Sequence, residues 1–233
     1  MSNYLTINQD SNLVFSNDEK VVIRTNNNLN ITINSNVEIV LLTNKKIDIN
    51  IIANRFSKTE LTLITFNNKE ITFTAELLEG SHLDSNFIVI NKGNAMNIKQ
   101  TIKHTGRDSY SMVNNKAIAF SKASIDFETV GTIRNGIKNC NCNQLTRGLI
   151  LEENASIKAL PILLIDECDV KAYHGATIGN VNDDDLFYLM SRGLNKKEAF
   201  NLVVNGLFKP YFEKIFIEKE QNEVLEKYNS FFK

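Results

Sequence analysis

The sequence predicts a strand-built, all-β body over residues 1–181 and a helical tail over residues 182–233. Three observations carry this. Apolar and polar residues alternate in short runs, beginning at Leu5, Leu13, Val21, Leu29 and Val37, one run every eight residues. Asparagine-rich turns separate the runs, whereas glycine first occurs at Gly80 and the only prolines are Pro161 and Pro210. From Asn182 onward the apolar period becomes that of an α-helix.

After Val37 the alternation continues through Ile47-Ile49-Ile51, Leu61-Leu63, Ile71-Phe73, Phe87-Val89, Ile98 to Ile102, Ala117 to Phe120, Ile125-Phe127, Leu149 to Leu151 and Leu163 to Ile165. Thr25-Asn26-Asn27-Asn28, Asn34-Ser35-Asn36 and Asn67-Asn68-Lys69 are polar enough to be surface turns. Asparagine makes up roughly one residue in seven. It tolerates left-handed backbone better than other non-glycine residues, and its side chain bonds its own backbone two residues on. An AT-rich genome would raise the count without explaining the placement. Regular short strands fit a sandwich, a barrel or a solenoid, and spacing alone does not choose among them.

In the tail, Asn182 is placed to cap a helix whose first turn holds Asp183, Asp184 and Asp185, with Leu186, Leu189 and Met190 on one face and Gly193 as the stop. Asn195 and Glu198 form a capping-box pair that opens a second helix through Phe200, Val203, Val204 and Leu207, which Pro210 ends or kinks. Phe212, Ile215, Phe216, Leu225 and Tyr228 predict a last, longer and partly exposed helix.

A net charge of -1 and a pI near 6.3 lack the clustered cations that nucleic acid or an acidic membrane would require. No apolar run approaches the roughly 18 residues of a membrane span, and Met1-Ser2-Asn3-Tyr4 has no signal-peptide character, so a cytoplasmic location is expected. Cys140, Cys142 and Cys168 are an odd number and are expected to be reduced thiols. No Walker loop or GxGxxG follows a strand, so the chain is not expected to bind nucleotide by itself.

The densest chemistry lies in Asp166-Glu167-Cys168-Asp169-Val170-Lys171-Ala172-Tyr173-His174-Gly175, where imidazole, thiol and carboxylates come together. Six residues of straight strand span about 20 Å, so Cys168 and His174 share a metal, or act as a nucleophilic pair, only if the chain turns between them. Cys140-Asn141-Cys142 reads as two thiols in an asparagine-rich turn, without the second pair that zinc requires. The three aspartates at 183–185 are best read as partners of a helix dipole, against a cation site or sugar chemistry.

Gln144-Leu145-Thr146-Arg147-Gly148, Pro161-Ile162-Leu163-Leu164-Ile165-Asp166, Asp169-Val170, His174-Gly175-Ala176-Thr177-Ile178-Gly179 and Leu186-Phe187-Tyr188-Leu189-Met190-Ser191-Arg192-Gly193-Leu194 occur in one continuous order. Together, over roughly residues 120 to 210, they resemble the SufB/SufD family of iron-sulfur cluster assembly proteins. The resemblance implies a right-handed parallel β-helix, a solenoid, with C-terminal helices. It implies a scaffold and not an enzyme. Such a scaffold pairs with a SufB-like subunit or a second copy of itself, and works with a SufC-like ABC ATPase and, indirectly, a cysteine desulfurase system. An iron-sulfur cluster is built transiently at the subunit interface.

Within that resemblance His174 matches the family histidine at the interface. The following Gly175, where SufB-type chains tend to carry glutamate, marks the SufD type. The region from Asp183 to about Phe208 corresponds to the ATPase-docking helices, with Asp185, Phe187, Tyr188, Arg192, Gly193 and Leu194 as partner-binding candidates. Cys168 replaces a usually acidic or amide residue and is a soft-ligand candidate beside His174. The SufB-type cysteine has no clear counterpart, because the segment from Arg147 to Pro161 is shortened. The long N-terminal helical region of the family is expected to be missing, and the first 110 residues match only in strand pattern. Two other readings are a β-solenoid carbohydrate enzyme using body aspartates and a purely structural subunit with an idle His174.

Overall fold

The computed structural model describes residues 2–232. In chain order the strands are β1 (Ser2–Ile7), β2 (Ser11–Phe15), β3 (Glu19–Thr25), β4 (Leu29–Ile33), β5 (Asn36–Thr43), β6 (Ile47–Ala53), β7 (Lys58–Phe66), β8 (Glu70–Leu77), β9 (His82–Asn91), β10 (Ala95–His104), β11 (Tyr110–Ala119), β12 (Ser124–Ile133), β13 (Asn141–Ile150), β14 (Ser156–Ile165) and β15 (Lys171–Gly179). Three helices follow: α1 (Asp183–Ser191), α2 (Lys196–Phe212) and α3 (Glu218–Ser230).

Odd-numbered strands form an eight-stranded sheet from β1 to β15, and even-numbered strands a seven-stranded sheet from β2 to β14. Every pairing is parallel. Parallel neighbours need a crossover, and here the crossover is a strand of the other sheet. The chain is therefore a parallel β-helix with two strands per rung, and neither sheet closes into a barrel. The eight-residue spacing falls one residue short of half a rung; stacked residues such as Asn12 and Asn30, or Leu5 and Ile23, are 18 apart in sequence. Rungs then widen, to 20 residues at Asn30 and Asn50, 28 at Asn86 and Asn114, and 31 at Asp108 and Asn139.

Inward-facing residues of the two sheets form one apolar core, including Ile23, Ile31, Leu41, Ile49, Leu63 and Phe73. Full burial of such a side chain is worth about 2 kcal/mol. Phe73 and Phe87 meet edge to face with ring centres 5.2 Å apart. In the wider rungs the interior holds polar groups that satisfy one another. Gln100 and Asn115 exchange two amide hydrogen bonds of 2.9 Å, and the Thr129 hydroxyl donates to Gln100 at 2.6 Å.

Asparagine does more than turn the chain. Asn67, Asn139 and Asn154 do take left-handed backbone, with φ of 51°, 58° and 59°. Others stack: Asn30 donates to Asn12 at 2.9 Å and Asn50 to Asn30 at 3.0 Å. A slip of one residue would break every step of such a ladder, so it selects register as well as contributing stability.

The helices lie on the outer face of the eight-stranded sheet. Val22, Val40, Ile64, Ile88 and Ile118, facing outward, are buried in one cluster with Val204, Phe208, Phe212, Val224 and Tyr228. Hence β3, β5, β7 and β9 carry consecutive apolar residues, as strands covered on both faces must. The tail runs back to the first rungs. Tyr4 donates to Glu220 at 2.6 Å, Arg24 pairs with Glu220 and Glu223, and Lys214 pairs with Glu60. Phe231 packs on Phe66 and Phe120, with ring centres 5.9 and 5.4 Å away.

The helix caps stand where the sequence placed them. Asn182 accepts from the Asp184 amide at 3.0 Å, Asn195 and Glu198 form a reciprocal capping box, and Gly193, at φ 98°, ends α1. Pro210 lies inside α2, two residues before its last residue, Phe212. Two expectations change. Met190 is exposed while Leu186 is buried and Leu189 half-buried, because the contact stripe of so short a helix holds only the i, i+3 pair. The last helix begins only at Glu218; Phe212 closes α2, Ile215 is buried in the connection, and Tyr228 is fully buried.

Glu220 is the ionic anchor of the tail, with 4% of its side chain exposed. Removing it leaves the part-exposed Arg24 with only Glu223 and deprives the Tyr4 hydroxyl of its acceptor, so Glu220→Ala should cost roughly 1–2 kcal/mol in urea unfolding. Exposed Glu226→Ala serves as control and should change stability by less than about 0.5 kcal/mol.

Candidate functional site

The widest end of the β-helix is open. β15 pairs with β13 along one edge and β14 with β12; no strand covers their other edges among the described residues. On β13 the buried Cys142, Gln144 and Thr146 alternate with outward residues, and in register above them on β15 stand Ala172, His174 and Ala176. His174 thus occupies an inward-facing column, yet it is exposed because no further rung lies over it. Its register partner Gln144 reaches across the interior, donating to the Ile162 carbonyl at 3.3 Å, while its Oε1 is buried without a partner. Leu160 and Leu164, each 55% exposed, and Tyr173 and Leu145 give this end apolar surface as well as unpaired backbone.

Cys168 is exposed in the corner between β14 and β15. The Glu167 carboxylate holds that corner, accepting amide hydrogen bonds from Gly136 at 2.8 Å, Cys168 at 2.9 Å and Asp169 at 3.1 Å. The Gly136 bond first, then the Asp169 bond, lower the Glu167 pKa. The chain turns at Cys168, but Lys171 to His174 is extended strand and alone spans about 10 Å. Within one chain the thiol and the imidazole do not converge on one ion. Among the described residues no group of three or more His, Cys, Asp and Glu could hold a metal.

Cys142 is not in a turn but in β13, which Asn141 opens; Cys140 ends the connection just before it, and both are buried beside Ile133. Their period-two spacing was the sequence signal for this, masked by the flanking asparagines. Burial pushes the Cys142 thiol up to about 11, away from thiolate chemistry. Nearby, the buried His104 ring is held between the Ser109 hydroxyl at 2.7 Å and the Ser111 hydroxyl at 2.8 Å, and Ser109 lies 3.3 Å from the Cys140 Sγ.

On α1, Phe187 is 74% and Tyr188 57% exposed, with the Arg192 guanidinium 5.3 Å from the Tyr188 ring centre. Asp185, Arg192 and Gly193 are exposed and Leu194 is half-buried. Leu186 and Leu189 attach the helix to the body, so the two aromatic rings are free for another surface.

The family description "SUF system FeS cluster assembly, SufBD core domain" matches residues 19–207. The chain belongs to the SufBD family. Over 148 residues it is 36% identical to the iron-sulfur cluster assembly protein SufD of Bacillus subtilis, covering 63% of this chain and 34% of that protein. It is 25% identical over 169 residues to a SufBD family protein of Pyrococcus horikoshii, covering 71% and 50%. To the chloroplastic protein ABCI7 of Arabidopsis thaliana it is 31% identical over 97 residues, covering 42% and 20%. The chain spans between a fifth and a half of the length of these relatives.

This SufD-like match begins in β3, far ahead of the residues whose motifs stand out in the sequence. A β-helix rung asks only for alternating apolar residues, so its early rungs carry no short motif. Gln144 is the site residue that sequence reasoning passed over; counting one rung back from His174 would have found it.

The interior next to this end has a titratable group. Burial lowers the His104 pKa from 6.5 to about 4. Between those values the unfolded SufBD chain binds more protons than the folded one, so stability is lost as pH falls from about 6.5 to about 4, by about 3 kcal/mol. Urea unfolding across that range should show the wild-type chain losing this much more stability than His104→Gln; parallel pH profiles would contradict it.

Proposed function

We propose that the chain is a scaffold subunit of an iron-sulfur cluster assembly complex, acting by ligation and not by turnover. Its open end, β14 and β15, pairs with the corresponding end of a second SufB/SufD-type β-helix, either a SufB-like protein or another copy of this chain. The single observation that carries this is His174, an inward-column imidazole at the uncovered edge of the coil. A second solenoid docked there would satisfy the edge backbone, cover Leu160 and Leu164, and enclose the imidazole at the junction.

The cluster is cargo built at that junction. His174 supplies one ligand, and the exposed corner thiol of Cys168, set apart from the imidazole of its own chain by the strand between them, supplies a thiolate of the type iron favours to the His174 of a facing copy. Since the described residues of one chain do not gather three ligands, the remainder come from the partner subunit. A SufC-type ABC ATPase docks on α1 through Phe187 and Tyr188, with Asp185, Arg192, Gly193 and Leu194 at the rim. Closure of the ATPase pair pulls on the helices and opens the junction. Sulfur reaches the complex from a cysteine desulfurase system. No described helix is long and apolar enough to cross a membrane.

The chain is co-purified with a SufC-type ATPase and a SufB-like subunit, then supplied anaerobically with iron and sulfide. His174→Ala should lower cluster absorbance several-fold while leaving ATPase retention unchanged, with Cys168→Ser showing a smaller loss. Undiminished absorbance in His174→Ala would reject the ligand role. Phe187→Glu with Tyr188→Glu should abolish ATPase retention without changing the melting temperature; full retention would reject the docking role of α1.

A further inference from the structure

One outward row of the eight-stranded sheet is unexplained by the scaffold function. Lys116, Arg147 and Thr177 stand in register on β11, β13 and β15. Adjacent strands lie about 4.8 Å apart, so two cations are direct neighbours, an arrangement that destabilises a sheet. Among the described residues neither cation forms an ion pair or a side-chain hydrogen bond; the Lys116 ammonium lies only near the Tyr211 ring, 5.2 Å from its centre. Half-burial of Lys116, and after it the Arg147 charge, lower the lysine pKa.

The surrounding groups do not neutralise this pair. Glu60, in the groove beside Lys116, is paired with Lys214, and Asp84 with His82. Asp185 borders the recess that contains Arg147 and Thr177 without pairing with the guanidinium. There is room for a ligand. A cavity of about 420 Å³ lies over Lys116, between the sheet and α2, and one of about 210 Å³ lies at Arg147. Gly206 borders the larger one. Glycine inside a helix costs about 1 kcal/mol relative to alanine. Nothing in the chain demands it there, since a Cβ would meet no atom within 4 Å.

We propose that Lys116 and Arg147 form a binding site for a small oxyanion, the charged group of a phosphate or a carboxylate, with Thr177, in register beside Arg147, as a neutral donor. A single bridging anion would relieve the repulsion, and the planar guanidinium suits two parallel hydrogen bonds to oxygen. The acidic groups on the far side of the groove disfavour an extended polyanion. The site is separate from His174 and does not depend on cluster assembly.

Reductive methylation of lysines, quantified by mass spectrometry at constant ionic strength, tests this on the full chain with inorganic phosphate or acetate as the probe. The effective anion at about four times its dissociation constant should slow Lys116 labelling about fivefold while leaving exposed Lys99 unchanged. Arg147→Gln should lose that protection at an unchanged melting temperature, and Arg147→Lys should retain part of it. Stronger protection by phosphate identifies a phosphate ligand, and stronger protection by acetate a carboxylate. Labelling of Lys116 that ignores both anions, or protection that survives in Arg147→Gln, would overturn the proposal.

Discussion

Every strand of the coil stands in parallel register on the strand one rung away, and the rest of the structure depends on this stacking. It turns a one-dimensional sequence into columns. Apolar columns become the core, amide columns become ladders such as Asn12, Asn30 and Asn50, and the column of Lys116 and Arg147 becomes a concentration of like charge. A stack of this kind is satisfied only between its neighbours, so its two ends are where unsatisfied backbone and unfinished columns collect.

The two faces of the eight-stranded sheet divide the work. Inside, it packs on the seven-stranded sheet; outside, it carries the helices, which cover the early and middle rungs and are tied down at Arg24, Glu60 and Phe66. Besides the asparagine-laddered outer face of the seven-stranded sheet, the helices leave uncovered the edge of the last rung and the exposed side of α1. His174 and Cys168 lie at that edge, and Phe187 and Tyr188 on that side of α1. The same packing that stabilises the chain therefore defines which surfaces remain for partners.

Much of this was legible in the sequence, for stated reasons. Caps depend on local chemistry, so Asn182, Asn195 with Glu198, and Gly193 could be placed without the fold. Strand positions followed from period-two alternation, but alternation does not say which strands pair, and the solenoid was reached only through the family motifs. Double-sided burial was missed because Val21-Val22-Ile23 reads as one apolar run until the helices are seen to cover Val22. Asn139, Asn141 and Asn143 look like turn residues, whereas Asn141 and Asn143 belong to β13, so Cys142 is a strand residue and only Cys140 lies in the connection. The start of the last helix was misplaced because Ile215 is buried by a connection and not by a helical stripe.

Whether the uncovered edge of β15 is an assembly surface is read from hydrogen exchange of its amides in the monomeric chain and in its complex with a SufB-like subunit or a second copy. Outward-edge amides between Lys171 and Gly179 should exchange rapidly in the monomer and slow markedly in the complex, while β3 to β9 remain unchanged. Slow exchange of β15 in the monomer, or a stable complex in which β15 exchanges as fast as before, would show that partners do not assemble on this edge.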